Sequence, residues 1–302
     1  MNPPVEIFVP CPICDTFGNS DVVYPSNLDI SSFTTQVFSA RRLPDRQHYR
    51  WVRCKTCTLL RSDPILDADL EELYSTSTFD YSSEIDGLKN TYLNLVIQAL
   101  NRNFLGKSLF EVGGGNGFFL EAARDKGFGI LAGVEPSKDA ISRARPDVKP
   151  TMIESMMKEG VLPHDSFEIG VMFHTLDHLP DPVLTLKTCL DVLRKDGIFI
   201  VAVHNERSWS ARLFRKHSPI IDVEHTHLYT RKTAEELFKK IGFIEVRSGS
   251  YINQYSLAYI LHLLPISRTL RKKILDTHLG KILSRLRVSL PLGNIWVSGK
   301  KP

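Results

Sequence analysis

From about residue 105 onward, short runs of apolar residues alternate with stretches whose apolar positions recur every three or four residues. The first pattern predicts strands and the second amphipathic helices. Residues 109–112 read as a strand, 118–126 as a helix stopped at Gly127, and 130–134 as a second strand. Residues 167–174 form a further apolar strand. Pro182 suits the first turn of a helix whose buried face is marked by Val183, Leu186, Leu190 and Leu193, and which ends at Lys195-Asp196-Gly197. Residues 198–203 are apolar throughout, as a central parallel strand covered on both faces requires. Thr230 predicts the N-cap of a helix over 231–241, closed by Gly242. Residues 243–247 and 293–299 read as antiparallel strands, with helices predicted between them over 255–264 and 267–287. Upstream, the pattern gives strand pieces at 22–24 and 47–52, an acidic helix over 67–74 and an amphipathic helix over 87–101.

The first strand of the repeating region runs into Gly113-Gly-Gly-Asn-Gly117. Glycines at 113, 115 and 117 let a strand turn sharply into a helix while the backbone closes on a ligand, because no Cβ intrudes. Glu135, at the tip of the second strand, is placed to accept hydrogen bonds from both hydroxyls of a ribose. A dinucleotide fingerprint would read Gly-x-Gly-x-x-Gly, with a pyrophosphate at the helix N-terminus. Here the third glycine comes one residue early, and Glu111 precedes the loop, where it would repel a pyrophosphate. A carboxylate there suits a cationic ligand better, and S-adenosylmethionine carries an ammonium, a sulfonium and a ribose. An ordinary glycine-rich turn and a nicotinamide-dependent oxidoreductase are the alternatives.

Four of the five cysteines form two pairs, Cys11-Pro-Ile-Cys14 and Cys54-Lys-Thr-Cys57. Each pair puts two thiolates on one side of a tight knuckle, and two knuckles can close a tetrahedral structural zinc site. Disulfides or a redox dithiol are the other readings. Cys189, between Leu186 and Leu190, is expected in the core.

The hydrophobic share of 42% and the charged share of 24% are those of an ordinary globular protein. No signal-peptide pattern opens the chain, and the longest apolar run, near 257–266, is too short to span a bilayer. A cytoplasmic protein with reduced cysteines is the expectation. The net charge of +4 is unevenly placed: Arg268, Arg271, Lys272, Lys273, Lys281, Arg285 and Arg287 face only Asp276 in residues 266–290. That stretch is either a solvated helix face or a contact with an anionic membrane or an acidic substrate. A nucleic-acid partner is not expected.

The glycine loop with its preceding acid, together with Asp177-His-Leu-Pro-Asp-Pro182, resembles the class I S-adenosylmethionine-dependent methyltransferases. The paired cysteines ahead of that domain are similar to the group that includes sugar C-methyltransferases and methyltransferase types 11, 12 and 23. The resemblance implies an α/β fold: a Rossmann-like seven-stranded sheet with helices on both faces, plus a small amino-terminal zinc ribbon. It implies a ribbon-like module over 1–62, a helical and aromatic lid over 63–104, and a methyltransferase domain over 105–302 with a helical insertion at about 255–290. Tyr74, Phe79 and Tyr81 would be lid residues over the pocket, or aromatics of a surface loop.

For S-adenosylmethionine the resemblance implies Glu111, Gly113, Gly115, Gly117, Glu135, Pro136, Phe173 and His174 as binding residues, His174 through its backbone. Glu224-His225 matches an element that faces the acceptor in some sugar C-methyltransferases, though Asp222 stands where some of those enzymes have tyrosine. His225, oriented by Glu224, is then the first candidate for general base and His178 the second. Loop bracing is the alternative for all three. The implied activity is methyl transfer to a small-molecule acceptor, a sugar, lipid or other metabolite; a zinc-ribbon adaptor that binds the cofactor without catalysis is the competing class.

Overall fold

A computed structural model describes residues 5–28, 47–67, 70–75, 84–100, 106–263, 267–291 and 293–302. Phe79 and Tyr81, expected in the lid, lie outside the described residues.

The core of the molecule is a seven-stranded sheet. Its strands run, in spatial order, Ile244–Ser250, Ile295–Lys300, Leu193–Val203, Phe167–Phe173, Ser108–Val112, Ile130–Glu135 and Met152–Glu154. Ile295–Lys300 is antiparallel to both its neighbours, while the remaining neighbours pair in parallel. The order reverses at Ser108–Val112, so the carboxyl ends of this strand and Phe167–Phe173 flank the crevice where such sheets take ligands.

Both faces are covered, and the side chains of one strand show it. Phe199, Val201 and Val203 enter the core formed with the helices Pro182–Val192 and Arg231–Ile241; Ile200 and Ala202 enter the opposite core, with Ile85–Leu100 and Phe118–Asp125. The uniformly apolar run of 198–203 is therefore a consequence of two-sided burial. Thr230 caps its helix as expected: its hydroxyl accepts from the Thr233 N–H, and Gly242 ends the helix in the left-handed region.

Two expectations change. The strand read from residue 198 begins at Leu193, with an irregularity between Leu193 and Ile198 that lets the polar Arg194-Lys195-Asp196 bulge into solvent. The single helix read over 267–287 is two helices, Arg268–Leu275 and His278–Arg285, followed by a strand, Arg287–Leu290, paired with Asn253–Ser256. Thr277 causes the break, because its hydroxyl accepts the Gly280 N–H and starts a second helix.

The amino-terminal segment folds onto this sheet. Ser20–Tyr24, Trp51–Cys54 and Leu60–Ser62 form an antiparallel sheet whose fourth strand, His227–Leu228, comes from the other end of the chain. Two further ties hold it: Arg53 makes two hydrogen bonds to the Glu206 carboxylate at 2.9 and 3.1 Å, and Lys240 Nζ donates to the Pro12 carbonyl and Asp15 Oδ1 at 2.8 and 2.7 Å. Among the described residues, no helix is long and apolar enough to cross a membrane.

Candidate active site

The glycine loop takes the shape its sequence requires. Gly113, Gly115 and Gly117 all have φ between 54° and 74°, where a side chain is strained. At Gly113 a Cβ would also collide with the Thr175 side chain, and at Gly117 it would come within 2.9 Å of Val148. The turn is pinned by Gly113 N–H donating to the Val134 carbonyl (2.8 Å) and Gly117 N–H to the Gly114 carbonyl (2.8 Å).

Two buried carboxylates flank this loop. Glu135 accepts the Gly115 N–H at 2.8 Å on one oxygen and the Ser137 N–H at 2.9 Å on the other. Each carboxylate oxygen has a second acceptor site, so hydroxyl groups can still bind there. Burial raises its proton affinity, while the two backbone N–H groups oppose that rise. Pro136, half-buried, sits between Glu135 and Ser137 and carries the chain into the Lys138–Ser142 helix. Glu111 is buried, and its Oε2 has no hydrogen-bond partner. Burial, and then the charge of Glu135, push its carboxyl well above the ordinary range. Burying a carboxyl whose oxygen has no partner is costly, so this group stands out beside the glycine loop.

Phe173 and His174 end the neighbouring strand. Phe173 stacks on Tyr92 with ring centroids 4.1 Å apart and meets Phe119 edge-on at 4.8 Å, so its ring packs within the core. His174 has φ +49°; its N–H donates to the Ala202 carbonyl, and its Nε2 shares a hydrogen bond with the Tyr251 hydroxyl at 2.8 Å. With the backbone N–H committed to Ala202, the side chain joins a polar cluster at the strand end.

That cluster is centred on Asp177, which is fully buried. His204 Nδ1 donates to Asp177 Oδ2 at 2.5 Å. His178 Nε2 lies 4.0 Å from Oδ1 and His225 Nε2 4.0 Å from Oδ2. The imidazoles form a chain: His174 to His204 at 4.4 Å, His204 to His225 at 5.0 Å, and His225 to His178 at 4.7 Å between centroids. Burial opposes ionisation of Asp177, but His204, His178 and His225 together hold its carboxyl well below the usual range. Burial, and then the neighbouring His178 and His204, hold His225 well below its ordinary value. Burial lowers His178 as well. The Tyr74 hydroxyl shares a 3.3 Å hydrogen bond with His178 Nδ1, which brings one expected lid aromatic onto the cluster.

The expected pairing of Glu224 with His225 is not formed. Neither ring nitrogen of His225 has a hydrogen-bond partner, and the acid facing the ring is Asp177. The Glu224 N–H is held by Asp222 Oδ1 at 2.9 Å. Glu224 and His225 lie in an irregular loop, where adjacency along the chain does not pair their side chains. Neither His204 nor Asp177 was given a chemical role from the sequence. The signal was the strand-end position of both, which the sheet order makes adjacent.

The four cysteines converge. Cys11 Sγ and Cys57 Sγ are 3.4 Å apart, as are Cys14 Sγ and Cys54 Sγ, and all four sulfurs lie within 4.8 Å of one another. A tetrahedral zinc with bonds near 2.3 Å separates its sulfurs by about 3.8 Å. The Cys57 thiol, hydrogen-bonded to Cys11, draws the Cys11 thiol down to about 5. Four sulfurs at these spacings, with no disulfide, fit the zinc site and leave it closed to substrate. Cys189 is buried in the main core as expected.

A family model described as a methyltransferase domain matches residues 87–247, just over half of the chain. Among curated proteins, the chain is 25% identical over 119 residues to a ubiquinone biosynthesis O-methyltransferase of Actinobacillus pleuropneumoniae, covering 36% of this chain and 50% of that one. The same-named protein of Caulobacter vibrioides is 28% identical over 111 residues, 34% of this chain and 42% of the other. The chain spans about half the length of the curated relatives it matches. Among solved structures, a chain of the complex between the Haloferax volcanii Trm112 methyltransferase activator and a methyltransferase superposes with a TM-score of 0.52 at 18% identity, covering 78% of this chain and 99% of that one. Haemonchus contortus phosphoethanolamine N-methyltransferase 2, bound to phosphomonomethylethanolamine and S-adenosylhomocysteine, gives 0.50 at 13% identity, covering 80% and 63%. These likenesses are of fold.

Proposed function

The chain belongs to the family of methyltransferase domains, and on that premise we propose that it transfers a methyl group from S-adenosylmethionine to a small-molecule acceptor. The observation that carries the reading is the pair of buried carboxylates around a glycine loop that cannot accept side chains. Glu111 Oε2, without a partner of its own, would pair with the ammonium of the methionine portion. Glu135 would accept from the ribose hydroxyls, and the Gly113–Gly117 turn would lie against the ligand, with Pro136, Phe173 and His174 shaping the walls. Methyl transfer from a sulfonium is a direct displacement, so the protein's main task is to align donor and acceptor.

The histidines around Asp177 stand on the acceptor side, at the ends of the next strands. We assign removal of the acceptor's proton to this cluster, with His225 and His178 its members nearest Asp177 after His204 and Glu224 bracing the loop. The ubiquinone biosynthesis O-methyltransferases among the relatives favour an oxygen as the atom methylated. The four cysteines would hold a structural zinc. Leu270, Leu279, Ile282 and Leu286 are exposed among the basic residues of the two insertion helices, which supports contact of that face with an anionic surface or an acidic partner.

The test is chemical. Incubating the protein with a cell extract and isotopically labelled S-adenosylmethionine should yield a labelled small molecule by mass spectrometry. Cofactor that binds yet never loses its methyl group to any extract component would favour the adaptor reading.

A further inference from the structure

The cluster around Asp177 holds more donor atoms than a single base requires. Asp177 Oδ1 is fully buried, has no hydrogen-bond partner, and lies 4.0 Å from His178 Nε2. His225 is buried to more than nine-tenths, and neither of its nitrogens has a partner. One donor atom each from Asp177, His178 and His225 falls within 4.8 Å of the other two. Gaps of 4.0 Å are too wide for hydrogen bonds. They are the spacing an ion closes, since bonds of about 2.0–2.2 Å to nitrogen and oxygen set two donors roughly 3–4 Å apart.

We propose that Asp177, His178 and His225 bind a divalent cation of the zinc, iron, cobalt or manganese class, separate from the four-cysteine site, whose open positions take an oxygen of the methyl acceptor. The inference rests on the methyltransferase reading and refines its acceptor side. Two imidazoles and one carboxylate are a mixed donor set that suits these ions and leaves positions for substrate. The surroundings are those of metal ligands. His178 Nδ1 bonds to the Tyr74 hydroxyl, which turns Nε2 toward Asp177, and Asp177 Oδ2 accepts from His204 Nδ1, which leaves Oδ1 for the ion. An acceptor hydroxyl on the ion becomes more acidic. Its O–H proton passes to Nε2 of His204. The oxygen then bonds the methyl carbon as the carbon–sulfur bond breaks, S-adenosylhomocysteine leaves neutral, and His204 returns the proton to solvent.

Titrating the full chain, purified without chelator, with Co²⁺ separates the two metal sites, because cobalt on thiolates gives an intense near-ultraviolet charge-transfer band and cobalt on nitrogen and oxygen only weak visible bands. One equivalent with weak visible bands and no accompanying thiolate band is expected. Asp177→Asn and His225→Ala should each weaken it at least tenfold, while S-adenosylhomocysteine binding, measured by calorimetry, shows that each variant is folded. Absence of the weak bands in the wild type, or cobalt affinity in both variants unchanged from the wild type, would overturn the proposal. Failure of S-adenosylhomocysteine to bind the wild type would instead remove the methyltransferase reading, whatever the cobalt result.

Discussion

Single side chains carry the sharpest consequences, and Glu111 is the clearest. A buried carboxyl with an unpartnered oxygen costs the ligand-free fold stability. Glu111→Gln should therefore raise the thermal midpoint of the free protein while weakening S-adenosylmethionine binding at least tenfold, as differential scanning fluorimetry and calorimetry would report; unchanged affinity would sever Glu111 from the cofactor. His225 touches none of the residues around the glycine loop in any hydrogen bond. His225→Ala should lower turnover by about a hundredfold or more and leave cofactor affinity unchanged, a split between kcat and binding measurable once an acceptor is in hand. Near-normal turnover would make this histidine a packing residue.

At the level of elements, the strand–loop–helix unit from Ser108 to Asp125 forms the proposed cofactor site. Gly113→Ala should abolish cofactor binding, because the residue needs positive φ and its Cβ would strike Thr175, on the loop that leads to Asp177. Equilibrium dialysis with labelled cofactor checks this, with retention of the far-ultraviolet circular dichroism spectrum as the control. This unit was legible in the sequence because glycine, unlike other residues, states its backbone requirement in its identity. Two-sided burial likewise wrote the central strand plainly at residues 198–203. The edges were harder to read. Met152–Glu154 is short, half-buried and framed by no strong period, so nothing in its composition announced a strand. The break at Thr277 was hidden because the apolar spacing of the two insertion helices continues across it. In the site, Cys11, Cys14, Cys54 and Cys57 were readable from spacing alone. Of the Asp177 cluster, His174, His178 and His225 were named from the sequence, but their gathering around Asp177 and His204 was not legible, because the segments that bear them are far apart along the chain. The expected Glu224–His225 pair failed for the same reason: the acid that faces His225 is Asp177, distant along the chain.

Across the whole molecule, the cysteine module and the histidine cluster are mechanically one. The strand Leu60–Ser62 pairs with His227–Leu228, Ser62 N–H donates to the Thr226 carbonyl at 2.8 Å, and Thr226 N–H donates to the Asp177 carbonyl at 2.8 Å. The module thus holds in place the segment that bears His225. Zinc removal, or Cys54→Ser, should accordingly cost more than local stability: metal analysis should fall from one zinc per chain, and turnover should drop with it although no cysteine lies among the cluster residues. Full turnover in zinc-free protein would uncouple the two.

The central claim is that the glycine loop and its two carboxylates hold S-adenosylmethionine, and titration calorimetry of the purified chain addresses it without knowledge of the acceptor. S-adenosylmethionine and S-adenosylhomocysteine should both bind with one site per chain, NAD should bind far more weakly, and Glu135→Ala should weaken binding by about 1–3 kcal/mol because ribose hydroxyls lose their acceptor. Absence of heat with either adenosyl ligand, or an unchanged affinity in the Glu135 variant, would contradict it.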